Sequence, residues 1–142
     1  MERRQFIKSS CNFCLLATAG YFSSILTACS PAYRAIKTEI IDDTIQIPLY
    51  SFAQSDFQFV RPKGWYYDIV VLKKADGVYE TMLLQCTHQQ NQLLPTGNGY
   101  ICNLHGSHFD KEGNVIKGPA ENPLKKYPTS IDRDKLIIHL KA

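Results

Sequence analysis

Beyond its first 28 residues this 142-residue chain has almost no excess charge of either sign: with Arg3, Arg4, Lys8 and Glu2 set aside, 13 basic residues face 12 acidic ones. Nucleic-acid binding calls for basic residues clustered on one face, so that class of partner has no footprint here. Cysteine is equally sparse in the body. Cys11, Cys14 and Cys29 lie near the N-terminus, which leaves only Cys86 and Cys102 further on. If that pair holds a metal, no disulfide remains to be built. Helical periodicity is missing as well: after residue 44 no segment repeats apolar residues every 3.6 positions, which argues against a helical bundle. The length allows one domain with a modest core.

In place of helical patterning there is alternation. Ile45, Ile47 and Leu49 alternate with Gln46, Pro48 and Tyr50, as in a half-buried strand, and Pro48 implies an edge position. Trp65–Lys73 and Val78–Gln85 are rich in aromatic and β-branched residues, and Asp76-Gly77 between them is a hairpin signal. Gly97-Asn98-Gly99 predicts a turn that pairs Leu93–Leu94 with Tyr100–Ile101, and Glu112-Gly113 predicts another. Leu136, Ile138 and Leu140 mark a final strand. The expectation is an antiparallel all-β domain of eight to ten short strands over residues 45–142. Residues 30–44, with Pro31 and no sustained period, read as a tether.

The N-terminus reads as an address. Arg3-Arg4-Gln5-Phe6-Ile7-Lys8 resembles a twin-arginine export signal, and the run from Cys11 to Ala28 is diluted by Thr18, Gly20, Ser23, Ser24 and Thr27. That run is long enough to span a bilayer but weak as a permanent span. Leu26-Thr27-Ala28-Cys29 resembles a lipobox, in which the cysteine is acylated and becomes the mature N-terminus. Residues 1–28 are therefore expected to be a signal segment and 29–44 a lipid-anchored tether, with an uncleaved N-terminal helix as the alternative. Cys11-x-x-Cys14 looks like a redox half-site but falls inside the signal.

The chemistry concentrates in Cys86-Thr87-His88 and, after thirteen intervening residues, Cys102-Asn103-Leu104-His105-Gly106-Ser107. Two thiolates and two imidazoles suit either a tetrahedral zinc ion or a [2Fe–2S] cluster with one iron held by histidines. The order Cys-His then Cys-His, with Gly-Ser directly after the last donor, resembles the Rieske family. The resemblance runs on through Phe109, Gly113-Asn114-Val115, Gly118-Pro119-Ala120 and Pro123-Leu124.

That resemblance implies an antiparallel β-sandwich with a small cluster-binding subdomain. It also implies a [2Fe–2S] cluster whose inner iron is held by Cys86 and Cys102 and whose outer iron is held by His88 and His105. Pro119 would belong to a loop covering the cluster. Neutral imidazoles in place of thiolates put Rieske potentials at about −150 to +300 mV, against about −400 mV for plant-type ferredoxins. By the same resemblance the Ser107 hydroxyl reaches a bridging sulfide. Phe109 stands where high-potential members place a tyrosine, and Asn91 and Leu104 where they place disulfide cysteines. An intermediate potential is expected.

The implied function is one-electron transfer by an exported, membrane-anchored carrier or oxidoreductase subunit at the periplasmic face, rather than by a stand-alone enzyme. Its partners would be a cytochrome b or c, or a molybdenum oxidoreductase of the arsenite-oxidase kind. The rival reading is a zinc-binding structural lipoprotein module without a redox role. His108 and His139 are expected to be solvated, and Trp65-Tyr66-Tyr67 to pack within a strand.

Overall fold

The computed structural model describes residues 33–141, so the expected signal segment and Cys29 lie outside the described residues. Twelve strands form three sheets. In chain order they are β1 (Ala35–Thr38), β2 (Thr44–Pro48), β3 (Phe57–Pro62), β4 (Ile69–Lys73), β5 (Tyr79–Leu83) and β6 (Leu94–Thr96), followed by β7 (Gly99–Ile101), β8 (His108–Phe109), β9 (Val115–Lys117), β10 (Lys126–Tyr127), β11 (Thr129–Asp132) and β12 (Lys135–His139). One 3-10 turn, Leu49–Phe52, follows β2.

The central sheet runs β1-β3-β4-β5-β10 and is covered on both faces. Ile69 and Val71 of β4 join Ile45 and Ile47 of β2 and Leu136 and Ile138 of β12 in one core. Val70, between them in sequence, points the other way into a second core with Met82, Leu84, Leu93, Tyr100 and Phe109. Each such side chain, fully buried, contributes about 1.5–3 kcal/mol, so the two cores together hold the layers. The sheet β11-β12-β2 lies over the first core, and β6-β7-β8-β9 lies over the second and carries the candidate site. This is the expected sandwich with a smaller sheet set on it.

Local sequence explains the connections. β2 is an edge strand, so Pro48 forfeits no ladder bond. Gly77 takes φ +78° in the β4–β5 hairpin, the turn that Asp76-Gly77 predicts. Leu94 pairs with Ile101 and Thr96 with Gly99 across the turn at 97–98. Gly99 has no room for a side chain: a Cβ there would run into the Phe109 carbonyl, so β7 and β8 can pair only because this residue is glycine.

The structure departs from the expectations at four places. Residues 35–38, expected in the tether, form β1 and pair parallel to β3, so ordered packing begins before residue 45. Phe57–Pro62 is a strand that alternation did not signal. Trp65-Tyr66-Tyr67 lies in the β3–β4 connection, not in a strand, and Trp65 packs against Tyr127 with ring centroids 6.4 Å apart. His108, expected to be solvated, is half-buried in β8, while His139 meets Ser130 Oγ at 2.8 Å on the exposed surface.

One polar network lies beside the second core, built around a fully buried carboxylate. Asp68, with no exposed surface, accepts from Arg61 Nε at 2.5 Å and Nη2 at 2.7 Å, and from the Tyr33 hydroxyl at 2.5 Å. Burial, then the Asp68 carboxylate, raises the Tyr33 phenol above its ordinary range. Gln92 Nε2 donates to the Tyr33 hydroxyl at 3.1 Å, and Gln92 Oε1 accepts from the Asp68 backbone N–H at 3.0 Å. Among the described residues no helix is long and apolar enough to cross a membrane.

Candidate metal centre

Three loops meet at the end of the smaller sheet. Beyond β5 the chain continues through Leu84 and Gln85 to Cys86, and it returns at Gln92, which bridges to Gln85. The first loop is thus the tip of a hairpin, closed by the Cys86 N–H donating to Asn91 O at 2.9 Å. The second loop leaves β7 at Cys102 and re-enters β8 after Ser107. It closes through Cys102 N–H to Ser107 O at 2.8 Å and Gly106 N–H to Cys102 O at 2.9 Å. The third loop, Gly118-Pro119-Ala120, follows β9.

Side-chain hydrogen bonds join each pair of loops. Asn91 Nδ2 donates to Asn103 Oδ1 at 3.0 Å, linking first to second. Ala120 N–H donates to Ser107 Oγ at 3.0 Å, linking third to second. Thr87 Oγ1 donates to Asn122 O at 2.7 Å, linking first to the chain just past the third. The sequence carried no sign of the Thr87 or Asn103 links, because a side chain's partner across loops depends on where the other loop lies.

Within this frame the expected donors lie as two pairs, Cys102 beside Cys86 and His88 beside His105. Cys86 and Cys102 are both free thiols, 2% and 1% exposed, packed among Leu84, Leu93 and Phe109. His88 and His105 are exposed, with ring centroids 5.3 Å apart and planes near perpendicular. The burial of Cys102 pushes its thiol up. The N–H groups of Leu104 and His105, with the neighbouring Cys86 and Asn91, outweigh that and hold it below the ordinary thiol value. A thiolate there has donors waiting.

The arrangement can be tested against the two metals the donor set allows. Zinc needs its donors tetrahedral about one point. The donors fall instead into an inner thiol pair and an outer imidazole pair, as a two-iron cluster bound at both ends requires. Ser107 adds a second observation. It is fully buried and its oxygen accepts from Ala120, yet among the described residues its own proton meets no acceptor. A buried donor without a partner is costly, and an inorganic sulfide beside it would satisfy the proton. The residues fit a [2Fe–2S] group.

The other expected residues are also located. Phe109 is 1% exposed in the core and brings no hydroxyl to the site. Pro119 is exposed at the rim of the third loop, while Ala120 beside it is buried. Leu104 is 54% exposed, and Asn91 reaches Asn103 rather than Leu104. Asn91 Nδ2 also lies 3.7 Å from Cys102 Sγ.

Gly106 sits at φ +77° with open space around its Cα. Gly106→Ala therefore meets no clash but pays about 1–2 kcal/mol for a left-handed backbone. The expected result is a melting temperature several degrees lower in the metal-free protein, read by circular dichroism. An unchanged value would mean the second loop does not hold this conformation in solution.

Comparison with known proteins agrees with the geometry. A family model for the Rieske [2Fe–2S] domain matches residues 52–128. The chain is 32% identical over 84 residues to a cytochrome b6-f complex iron-sulfur subunit of Chlorobaculum thiosulfatiphilum, covering 58% of this chain and 43% of that one. It is 39% identical over 62 residues to the mitochondrial Rieske subunit of the cytochrome b-c1 complex of Saccharomyces cerevisiae, covering 40% and 28%. The chain thus matches less than half the length of these curated relatives. Among solved structures, naphthalene 1,2-dioxygenase shares the fold at a TM-score of 0.54 and 17% identity, covering 72% of this chain and 27% of that one. A chain from the oxygenase–ferredoxin complex of carbazole 1,9a-dioxygenase does so at 0.51 and 17%, covering 71% and 96%. With the matched segment spanning more than half its length, the chain belongs to the Rieske [2Fe–2S] domain family, and its cofactor is a [2Fe–2S] cluster.

Proposed function

We propose that the chain is a one-electron carrier in which Cys86 and Cys102 hold one iron of the cluster and His88 and His105 hold the other. The observation that carries this reading is the layering of the site, with the thiol pair buried and the imidazole pair exposed. The cluster supplies a single reversible redox step. The protein contributes everything around it: the apolar wall of Leu84, Leu93 and Phe109 excludes water from the thiolate end, and His88 and His105 offer a partner the shortest approach. Phe109, lacking a hydroxyl, supports an intermediate potential, below that of quinol:cytochrome c reductase subunits.

The relatives are named as subunits of cytochrome b6-f and b-c1 complexes, which supports a cytochrome of the b or c type as partner, with a molybdenum oxidoreductase as the other candidate. Arg3-Arg4 and the Leu26-Thr27-Ala28-Cys29 sequence support export by the twin-arginine route and anchoring through Cys29 at the outer face of the membrane. A folded cluster domain is the kind of cargo that route carries.

The full chain, purified from membranes, tests this directly. Two irons and two sulfides per chain, a spin-resonance signal on reduction, and rapid reoxidation by a soluble cytochrome c are expected. Colourless protein with one zinc ends the electron-transfer reading. Cys29→Ala should move the chain from the membrane to the soluble fraction, and retention in the membrane would favour an uncleaved helix instead.

A further inference from the structure

Asn91 hydrogen-bonds to the loops of both cysteines. Its backbone carbonyl accepts the Cys86 N–H at 2.9 Å. Its side-chain nitrogen lies 3.0 Å from Asn103 Oδ1, 3.3 Å from Gln92 O and 3.7 Å from Cys102 Sγ. The Gln92 carbonyl can only accept, so it is the NH₂ end of the amide that faces this cluster of atoms. Two protons serve three acceptors. Asn103, the nearest, takes one, and the other is shared between Gln92 O and the sulfur.

We propose that Asn91 is a positioning residue with two effects: it locks the first ligand loop onto the second, and it raises the reduction potential by donating to Cys102 Sγ. This rests on Cys102 being an iron ligand. A reduced cluster carries more negative charge on its sulfurs, so a donor aimed at one of them stabilises the reduced state more than the oxidised one. The half-buried position of Asn91 keeps bulk water from supplying an equivalent donor. The lock acts through Asn103 and the tuning through Cys102, so the two effects can be separated by substitution.

The test compares holoprotein of the full chain with Asn91→Leu, Asn91→Asp and Asn103→Ala, measuring midpoint potential and the rate of iron loss to a chelator. Asn91→Leu keeps the volume and removes the donor. Its reduction equilibrium constant should fall about fivefold, or ~40 mV at about 59 mV per tenfold for one electron. Asn91→Asp should fall further, because a carboxylate then faces the sulfur. Asn103→Ala should keep the wild-type potential within twofold yet release iron several-fold faster. Wild-type protein that loads no iron overturns the ligand assignment and this proposal with it. Iron-loaded wild type whose potential Asn91→Leu leaves unchanged overturns the tuning alone. If both Asn91 variants fail to retain iron, Asn103→Ala decides the lock: iron release at the wild-type rate overturns it.

Discussion

Cys102→Ala is expected to abolish iron binding while leaving the sandwich folded. The thiol is 1% exposed and sits against Leu93 and Phe109, so no water or neighbouring side chain can take its place as a ligand. The bonds that shape its loop are main-chain ones, Cys102 N–H to Ser107 O and Gly106 N–H to Cys102 O, and both survive the substitution. Removing one sulfur atom from the core costs on the order of 1 kcal/mol of packing, a small part of a domain's 5–15 kcal/mol. The variant should therefore give a far-ultraviolet dichroism spectrum and melting curve close to those of metal-free wild type, with no visible absorption and no iron. Iron at the wild-type ratio in Cys102→Ala would remove Cys102 from the ligand set. Loss of the fold together with the iron would mean that the loop depends on the sulfur rather than on its backbone bonds.

Arg61→Leu should be the most damaging change away from the centre. Asp68 has no exposed surface, whereas the Arg61 side chain is 38% exposed. Deleting the arginine strands a buried carboxylate with only Tyr33 to donate to it. Leaving a buried charge without its partner costs about 3–5 kcal/mol. For a domain of this size that corresponds to a fall in melting temperature of roughly 12 °C or more. The effect should reach the centre too, because Tyr33 and the Asp68 backbone hold Gln92, the residue that follows Asn91 at the foot of the first loop. Faster iron release is expected alongside the lower melting temperature. Arg61→Leu combined with Asp68→Asn removes the stranded charge and should recover most of the loss. A double variant no more stable than Arg61→Leu would show that the arginine acts by packing its stem and not through its charge.

The candidate donors stood out in the sequence because their chemistry is local. A thiolate and an imidazole separated by one or two residues, repeated once, declare a metal site without any knowledge of the fold. β2 and β12 were legible for a similar reason: Ile45, Ile47, Leu136 and Ile138 are buried on one face only, so the sequence alternates. β4 was legible as an aromatic and β-branched run but not by alternation, because it is buried on both faces. Ile69, Val70 and Val71 then read as a continuous apolar run, and its start was blurred by Trp65-Tyr66-Tyr67, which pack from a connection. β1 was missed because an edge strand of half-buried residues has no period to read, and its parallel pairing with β3 is decided entirely by tertiary contact. The links between loops were out of reach for the same reason. Position 91 could be recognised as lacking a cysteine, but not as holding an amide against Asn103 and Cys102.

The hydrogen bonds that bind the loops to one another have no oxidation state. Each is worth about 0.5–1.5 kcal/mol, whereas a disulfide contributes typically 2–4 kcal/mol. What is given up in strength is returned as indifference to thiol chemistry. The loops can close in a reducing cytoplasm, where a cystine would not persist, and no oxidant or isomerase is needed to finish them. Nor can glutathione or a stray dithiol unfasten them in service. A fastening of this kind also opens and shuts on its own, so the metal can enter a chain that has already folded.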